Sequence, residues 1–159
     1  GVPKGSFYHY FASKEGFGRA LLEAYFSHYL QRLDGLFQRT DLSGGACLQT
    51  YFQRWIETQQ GEDAADYCLI VKLAAEVADL SEAMRAIMLS GTEQILGRLA
   101  DVVARGQADG SIANPAPAAE LAQWLYEAWL GASLLAKLRR DDSAFRAVLQ
   151  RSCEWLQLS

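Results

Sequence analysis

Apolar residues recur every three or four positions along most of the chain, the pattern of helices that bury one face. Phe17, Leu21, Leu22, Tyr25, Tyr29, Leu33 and Leu36 keep that spacing and predict a long helix over 14–38. Asp41-Leu42-Ser43-Gly44-Gly45 interrupts it with turn-forming residues. A second helix over 46–59 places Leu48, Tyr51, Phe52, Trp55 and Ile56 on one face, and a polar loop over 60–63 follows. Residues 67–78 are apolar almost throughout and predict a buried central helix, with Lys72, Glu76 and Asp79 close to one stripe with Cys68. Asp79 and Ser81 offer caps for a helix over 82–105 whose apolar face is Met84, Ile87, Met88, Gly91, Ile95, Leu99 and Val102. Gly106 and Asp109-Gly110 should end it.

Asn114-Pro115 has the form of a helix start, a cap followed by a first-turn proline. The helix predicted from there to about 138 has two apolar strips. Leu121, Trp124, Leu125, Ala128, Trp129, Ala132 and Leu135 form one, and Tyr126, Leu130 and Leu134 the other. A last helix over 142–156 carries Phe145, Val148, Leu149 and Leu156. Small residues Gly131, Ala132 and Ala136 permit close helix approach, so these two helices are candidates for a dimer interface as well as for an internal core. The expected fold class is all-α.

Half of the 159 residues are hydrophobic, enough for one sizeable core. No apolar run approaches the 18 or so residues of a membrane span, and no secretory signal is visible. Net charge is −4, but the first 40 residues hold five cations against three carboxylates. An acidic body repels DNA, so any contact with nucleic acid is expected at the N-terminal end. Cys47, Cys68 and Cys153 are widely spaced, and both histidines fall within the first 28 residues. That spacing suits reduced cytoplasmic thiols rather than a zinc site, and no metal or cofactor is expected. Neither a Gly-rich phosphate loop nor a nucleophile motif points to an enzyme.

The chain opens G-V-P-K-G-S-F-Y-H-Y-F-A-S-K-E. Pro3 suits the approach to a helix, and Phe7 and Phe11 then form one apolar ridge. Lys4, Ser6, Tyr8, His9 and Tyr10 supply a cation, hydroxyls and an imidazole, groups that meet phosphate oxygens and base edges. The same pattern also serves a surface turn with aromatic packing. Ser13 reads as an N-cap for the next helix, with Lys14 in its first turn, where a cation opposes the helix dipole unless a phosphate approaches.

V-P-K-G-S-F-Y-H-Y-F-A-S-K-E-G-F, residues 2–17, resembles the recognition helix and following helix start of TetR-family transcriptional repressors. The resemblance implies a helix, about 4–11, that enters the major groove of a palindromic double-stranded operator within a two-fold dimer. Lys4, Gly5, Ser6, Tyr8, His9 and Tyr10 would face DNA, Phe7 and Phe11 would hold the helix to its own domain, and Lys14 would meet the backbone. Two further helices would precede Gly1. Residues 1–38 would then be the remainder of a helix-turn-helix domain with its linking helix, and 39–159 a ligand-binding and dimerisation domain. The dimer would form through the helices near 115–138 and 142–156.

Repressors of this family release DNA when a small-molecule inducer enters the helical body. Tyr51, Phe52, Trp55, Tyr67, Trp124 and Trp129 could line such a site, although aromatics at this spacing also build ordinary cores. Y-C-L-I-V-K-L-A-A-E-V-A-D-L-S-E, 67–82, and W-L-G-A-S-L-L-A-K, 129–137, resemble the NemR-like, electrophile- or oxidant-responsive and acrylate-responsive branch. Cys68 falls where that branch carries a thiol. Lys72 stands one helical turn on, and a nearby ammonium favours thiolate, unless Lys72 pairs with Glu76 instead. Lys137 is a second candidate amine, and it equally suits a helix C-terminus beside Arg139 and Arg140. Two other readings remain open at this point. One is a helical protein-interaction module without DNA binding, and the other a reversible ligand-binding regulator with no thiol chemistry.

Overall fold

The computed structural model describes residues 4–60 and 69–158. Among them are six helices: α1 (Lys4–Phe37), α2 (Gly44–Gln60), α3 (Leu69–Leu80), α4 (Glu82–Asp109), α5 (Ala118–Arg139) and α6 (Ser143–Leu156). Strand-type pairing among the described residues is confined to one antiparallel bridge, Ile112 with Leu158. The protein is all-α, as the periodicity predicts.

Helix α4 is the axis, with α1, α2, α3 and α5 all packed on it, and α6 closes over α5. Of its predicted stripe Met88, Gly91, Ile95, Leu99 and Val102 are buried and Met84 and Ile87 half-buried, while Val103 and Gly106 are buried in addition. Along α1, Leu22, Phe26, Tyr29, Leu30, Leu33, Leu36 and Phe37 are buried. The two helices run parallel, and their contacts climb in register. Ser81, the N-cap of α4, donates to the Glu15 carboxylate. A Cβ added at Gly18 would come within 2.8 Å of Met84 Cε, and one at Gly91 within 2.3 Å of the Phe26 ring. Arg98 grips Asp34 with Nε and Nη2 at 2.7 and 3.2 Å, and Arg105 donates to the Phe37 carbonyl. Met84, Gly91, Arg98 and Arg105 are spaced by seven, so one heptad stripe of α4 lies against α1.

Several helix ends differ from the predicted ones. Ser13 caps nothing, because α1 runs unbroken through it for 34 residues. Ala12, Ser13 and Lys14 are exposed, and none of these residues forbids helix. Helix α5 begins at Ala118, with Pro117 in the cap position. Asn114 instead builds the turn ahead of it, donating to the Trp155 carbonyl at 2.7 Å and accepting from the Ala116 N–H at 2.9 Å. Two prolines, Pro115 and Pro117, keep that stretch out of the helix. Gly106 does not end α4; the helix continues to Asp109 and stops at Gly110, φ 81°. The role of Gly106 is close approach: a Cβ there would lie 2.5 Å from Ile112 Cδ1.

Gly44 and Gly45, predicted as loop, are the first residues of α2. Their N–H groups, which no preceding turn can satisfy, are answered from the far end of α4. Gly44 donates to Asp109 Oδ2 and Gly45 to Ser111 Oγ, both at 2.8 Å. A Cβ on Gly44 would stand 2.3 Å from the Gly106 nitrogen, so two glycines let the helices cross at backbone contact. Six side chains of α3 are described. Among them Val77 is buried, Ile70, Leu73 and Ala74 are half-buried, and Glu76 and Asp79 are exposed.

Gly91→Ala should cost about 1–3 kcal/mol through overpacking against Phe26, measured by denaturant unfolding. The penalty should shrink in a Phe26→Leu background, and an unchanged penalty would mean the strain lies elsewhere. Asp109 is held below the usual carboxylate range by the Ser111 hydroxyl and then by the Gly44 N–H. A depressed folded pKa gives stability that is complete above the unfolded value of about 3.9 and lost as pH falls through the folded one. The stability gap between the native chain and Asp109→Asn should therefore be wider at pH 6 than at pH 3 in thermal melts; a constant gap would remove this carboxylate from the acid response.

Candidate DNA-facing helix and sensing body

Several described side chains near the start of α1 face solvent. Gly5, Ser6, His9 and Lys14 are exposed, and Phe17 and Leu21 remain 68% and 53% exposed before burial begins at Leu22. The side chains of Lys4, Tyr8 and Tyr10 lie outside the described part of the structure. Half of the residues expected to face DNA are thus on solvent-facing helix. Glu15 meets the body at the corner between α3 and α4. Ser81 accepts there from the Met84 N–H at 3.2 Å, donates its own N–H to the Val77 carbonyl at 3.1 Å, and donates its hydroxyl to Glu15.

Four of the six aromatic residues singled out in the sequence come together. Phe52 stacks on Trp129 at 4.6 Å with ring planes 5° apart, Trp55 lies 5.7 Å from Trp129, and Tyr51 meets Trp55 edge-on at 5.5 Å. All four are buried. Burying an indole requires a partner for its N–H. Trp55 Nε1 donates to Ser133 Oγ at 2.9 Å, and Trp129 Nε1 to Ser152 Oγ at 3.1 Å. Each serine then donates back one turn, to the Trp129 and Val148 carbonyls, at 2.8 and 2.7 Å. The Tyr51 hydroxyl lies 2.8 Å from that of Tyr29 on α1. This cluster ties α2 to α5, α6 and α1. Trp124 is elsewhere, half-buried against Trp155 at 4.3 Å beside an α5–α6 cleft of about 410 Å³.

Tyr67 and Cys68 lie outside the described residues, as does the Lys72 side chain on α3. Lys137 is exposed in the last turn of α5. Cys47 is buried, 2.9 Å from Arg105 Nη2, with its thiol 3.5 Å from the Leu36 carbonyl. Burial, and then the charge of Glu154, push the Cys153 thiol pKa up, against thiolate. Among the described residues no group of three or more His, Cys, Asp or Glu gathers to hold a metal, and no helix is long and apolar enough to cross a membrane. The sequence reading missed Ser133, Ser152 and the Glu15–Ser81 tie. Two lone serines at otherwise apolar helix positions were the signal for the first pair; the tie, 66 residues apart, left none.

Three leucines of α5 are exposed near its C-terminal end. Leu134, Leu135 and Leu138 are 47%, 42% and 70% exposed, and the neighbouring cleft combines Trp124, Ala128, Gly131 and Ala147 with Arg139 and Arg151.

Residues 44–151 match the family described as "Tetracyclin repressor-like, C-terminal domain". The chain belongs to the TetR family of transcriptional repressors. It is 40% identical over 140 residues to the HTH-type transcriptional repressor NemR of Escherichia coli K12, covering 88% of this chain and 70% of that protein. It is 34% identical to the HTH-type transcriptional repressor DhaR of Mycobacterium sp. GP1, covering 88% and 69%. The crystal structure of the reduced form of E. coli NemR superposes with a TM-score of 0.82 at 38% identity, over 95% of this chain and 78% of that one.

Ser133→Ala should cost about 1–3 kcal/mol in denaturant unfolding, because it strands the buried Trp55 N–H. An unchanged stability would show that the indole finds another acceptor.

Proposed function

We propose that the protein sits on a palindromic operator as a cytoplasmic homodimer and lets go when a small molecule is sensed in its helical body. The observation that carries this reading is the bond from Ser81, at the α3–α4 corner, to Glu15 on the DNA-facing helix. Any displacement of α3 or α4 reaches α1 there and along the heptad seam. In this reading 1–38 is the remainder of the helix-turn-helix domain with its linking helix, and 39–159 the sensing and dimerisation domain. Lys4, Gly5, Ser6, Tyr8, His9 and Tyr10 face the groove and Lys14 the phosphates, while the exposed leucines of α5 support pairing through α5 and α6.

Two recognition helices must match successive major grooves, about 34 Å apart, so a modest change in the angle of α1 breaks the fit. Differential ligand binding worth about 1–3 kcal/mol lowers operator affinity roughly 5–150-fold. Cys68, directly before α3 in the chain, is the proposed sensing nucleophile. Its thiolate would add to the β-carbon of an electrophilic alkene, forming the S–C bond, while the displaced π electrons protonate from water at the α-carbon. Lys72, one turn on, and Lys137 are the amines proposed to favour that thiolate. A chain that reacts once and stops is a sensor, not an enzyme. Reversible binding without thiol chemistry is the second reading, supported by the buried aromatic cluster.

Gel-shift titration tests both parts. Tyr8→Ala with Lys14→Ala should abolish operator binding, and its survival would point to an interaction module without a DNA role. Cys68→Ser should bind operator normally but resist release by a mild electrophile; unchanged release would leave only reversible binding.

A further inference from the structure

Around Trp55 the buried polar atoms are answered almost without exception: indole by serine, serine by carbonyl, tyrosine by tyrosine. Two are not. Tyr126 Oη, on a residue only 5% exposed, and Gln59 Nε2 have no hydrogen-bond partner among the described residues. The Tyr126 ring stands 6.2 Å from Trp55 and 75° to its plane. Gln59 follows Trp55 by one turn of α2 and shares its face. The other unanswered buried atom, Arg105 Nε, belongs to a guanidinium already bonded to Phe37 and Cys47 at the opposite end of α2.

Leaving a buried donor unpaired costs about 1–3 kcal/mol, so two of them beside one aromatic face call for something that completes them. We propose that Tyr126 and Gln59 are the polar end of the inducer site, where hydroxyl and amide donate together to the carbonyl oxygen of a small flat ligand lying against Trp55. The inference rests on the reading that the body senses a small molecule. It adds which chemistry is recognised. Both orphans can donate, so the ligand must bring an acceptor. The surroundings, Trp55 and beyond it Trp129 and Phe52, are aromatic, so the rest of the ligand is apolar and planar. Burial holds the Tyr126 phenol above its ordinary pKa, which keeps its proton in place as a donor at neutral pH. Recognition of this kind precedes any thiol reaction and works equally well without one.

The test compares a ketone with its isosteric alkene, acetophenone against α-methylstyrene and 2-butanone against 2-methyl-1-butene. Binding to the purified protein is followed by tryptophan fluorescence and calorimetry. At least one ketone should bind roughly fivefold or more tighter than its alkene, the worth of a neutral hydrogen bond. Tyr126→Phe should erase most of that preference, keep the alkene affinity, and melt at or above the native temperature without ligand, because it removes an unpaired hydroxyl. Gln59→Leu should weaken the preference in the same direction. Equal affinity within both pairs, no binding of any of the four, or a preference that survives both substitutions would overturn the inference. A lowered melting temperature for ligand-free Tyr126→Phe would overturn it too, by showing that the hydroxyl already has a structural partner. Operator release is scored separately. Ketone preference without release would sink the inducer reading and leave the donor pair standing; release that persists in Tyr126→Phe would do the reverse.

Discussion

The parallel seam between α1 and α4 governs this structure. Glu15 with Ser81, Gly18 with Met84, Phe26 with Gly91, Asp34 with Arg98 and the Phe37 carbonyl with Arg105 hold the two helices in one register from the arm to the core. Glycine sets the closest approach, because any side chain at Gly91 would displace the Phe26 ring. The two arginines then fix the distal end. Asp34 and Arg98 are each about one-third exposed, so their bidentate pair contributes register more than stability. A helix held along most of its length by one neighbour moves as a unit with it. That is the mechanical condition for an arm outside the core to report on the interior.

The opposite side of the body is joined by aromatic stacking rather than by a seam. Phe52 and Trp55 reach across from α2 to Trp129, and the two serines that accept the indole protons convert a hydrophobic contact into a directional one. The start of α2 is locked differently, by backbone contact between Gly44 and Gly106 and by N–H groups donated to Asp109 and Ser111. The N-terminal end of α2 is therefore pinned. Its C-terminal end carries Gln59, whose buried amide nitrogen has no partner among the described residues. One end of α2 thus has its polar groups answered, while the other carries a buried donor that is not.

Much of this was readable from residue order. Most of the stripes on 46–59 and 82–105 and the distal part of the one on 14–38 are buried faces of α2, α4 and α1, although Phe17 and Leu21 are exposed, and Leu121, Leu125 and Trp129 occupy the predicted core side of α5. Local signals fared less well where distant chain intervened. Ser13 has the chemistry of a cap, yet the helix runs through it, since capping requires a bend that nothing nearby imposes. Asn114 has it too, but its side chain is engaged with the Trp155 carbonyl and the Ala116 N–H. Gly106 looked like a helix end and is instead a site of close packing. Glycine marks either use equally, and only the neighbour that approaches decides between them.

Helical periodicity and the opening N-terminal motif, as properties of the sequence alone, determined that this is an all-α member of a repressor family with a basic end and an acidic body. Those features depend on neighbours three or four residues apart, which order alone supplies. What only the tertiary structure decided is which helices share a register, which polar atoms are paired and which are left waiting. Ser81 reaching Glu15, Ser133 answering Trp55 and Tyr126 answered by nothing described are relations among side chains far apart in the chain. Such pairings arise when helices are packed, because a buried hydrogen bond is chosen by the geometry of the finished core and leaves no trace in local composition.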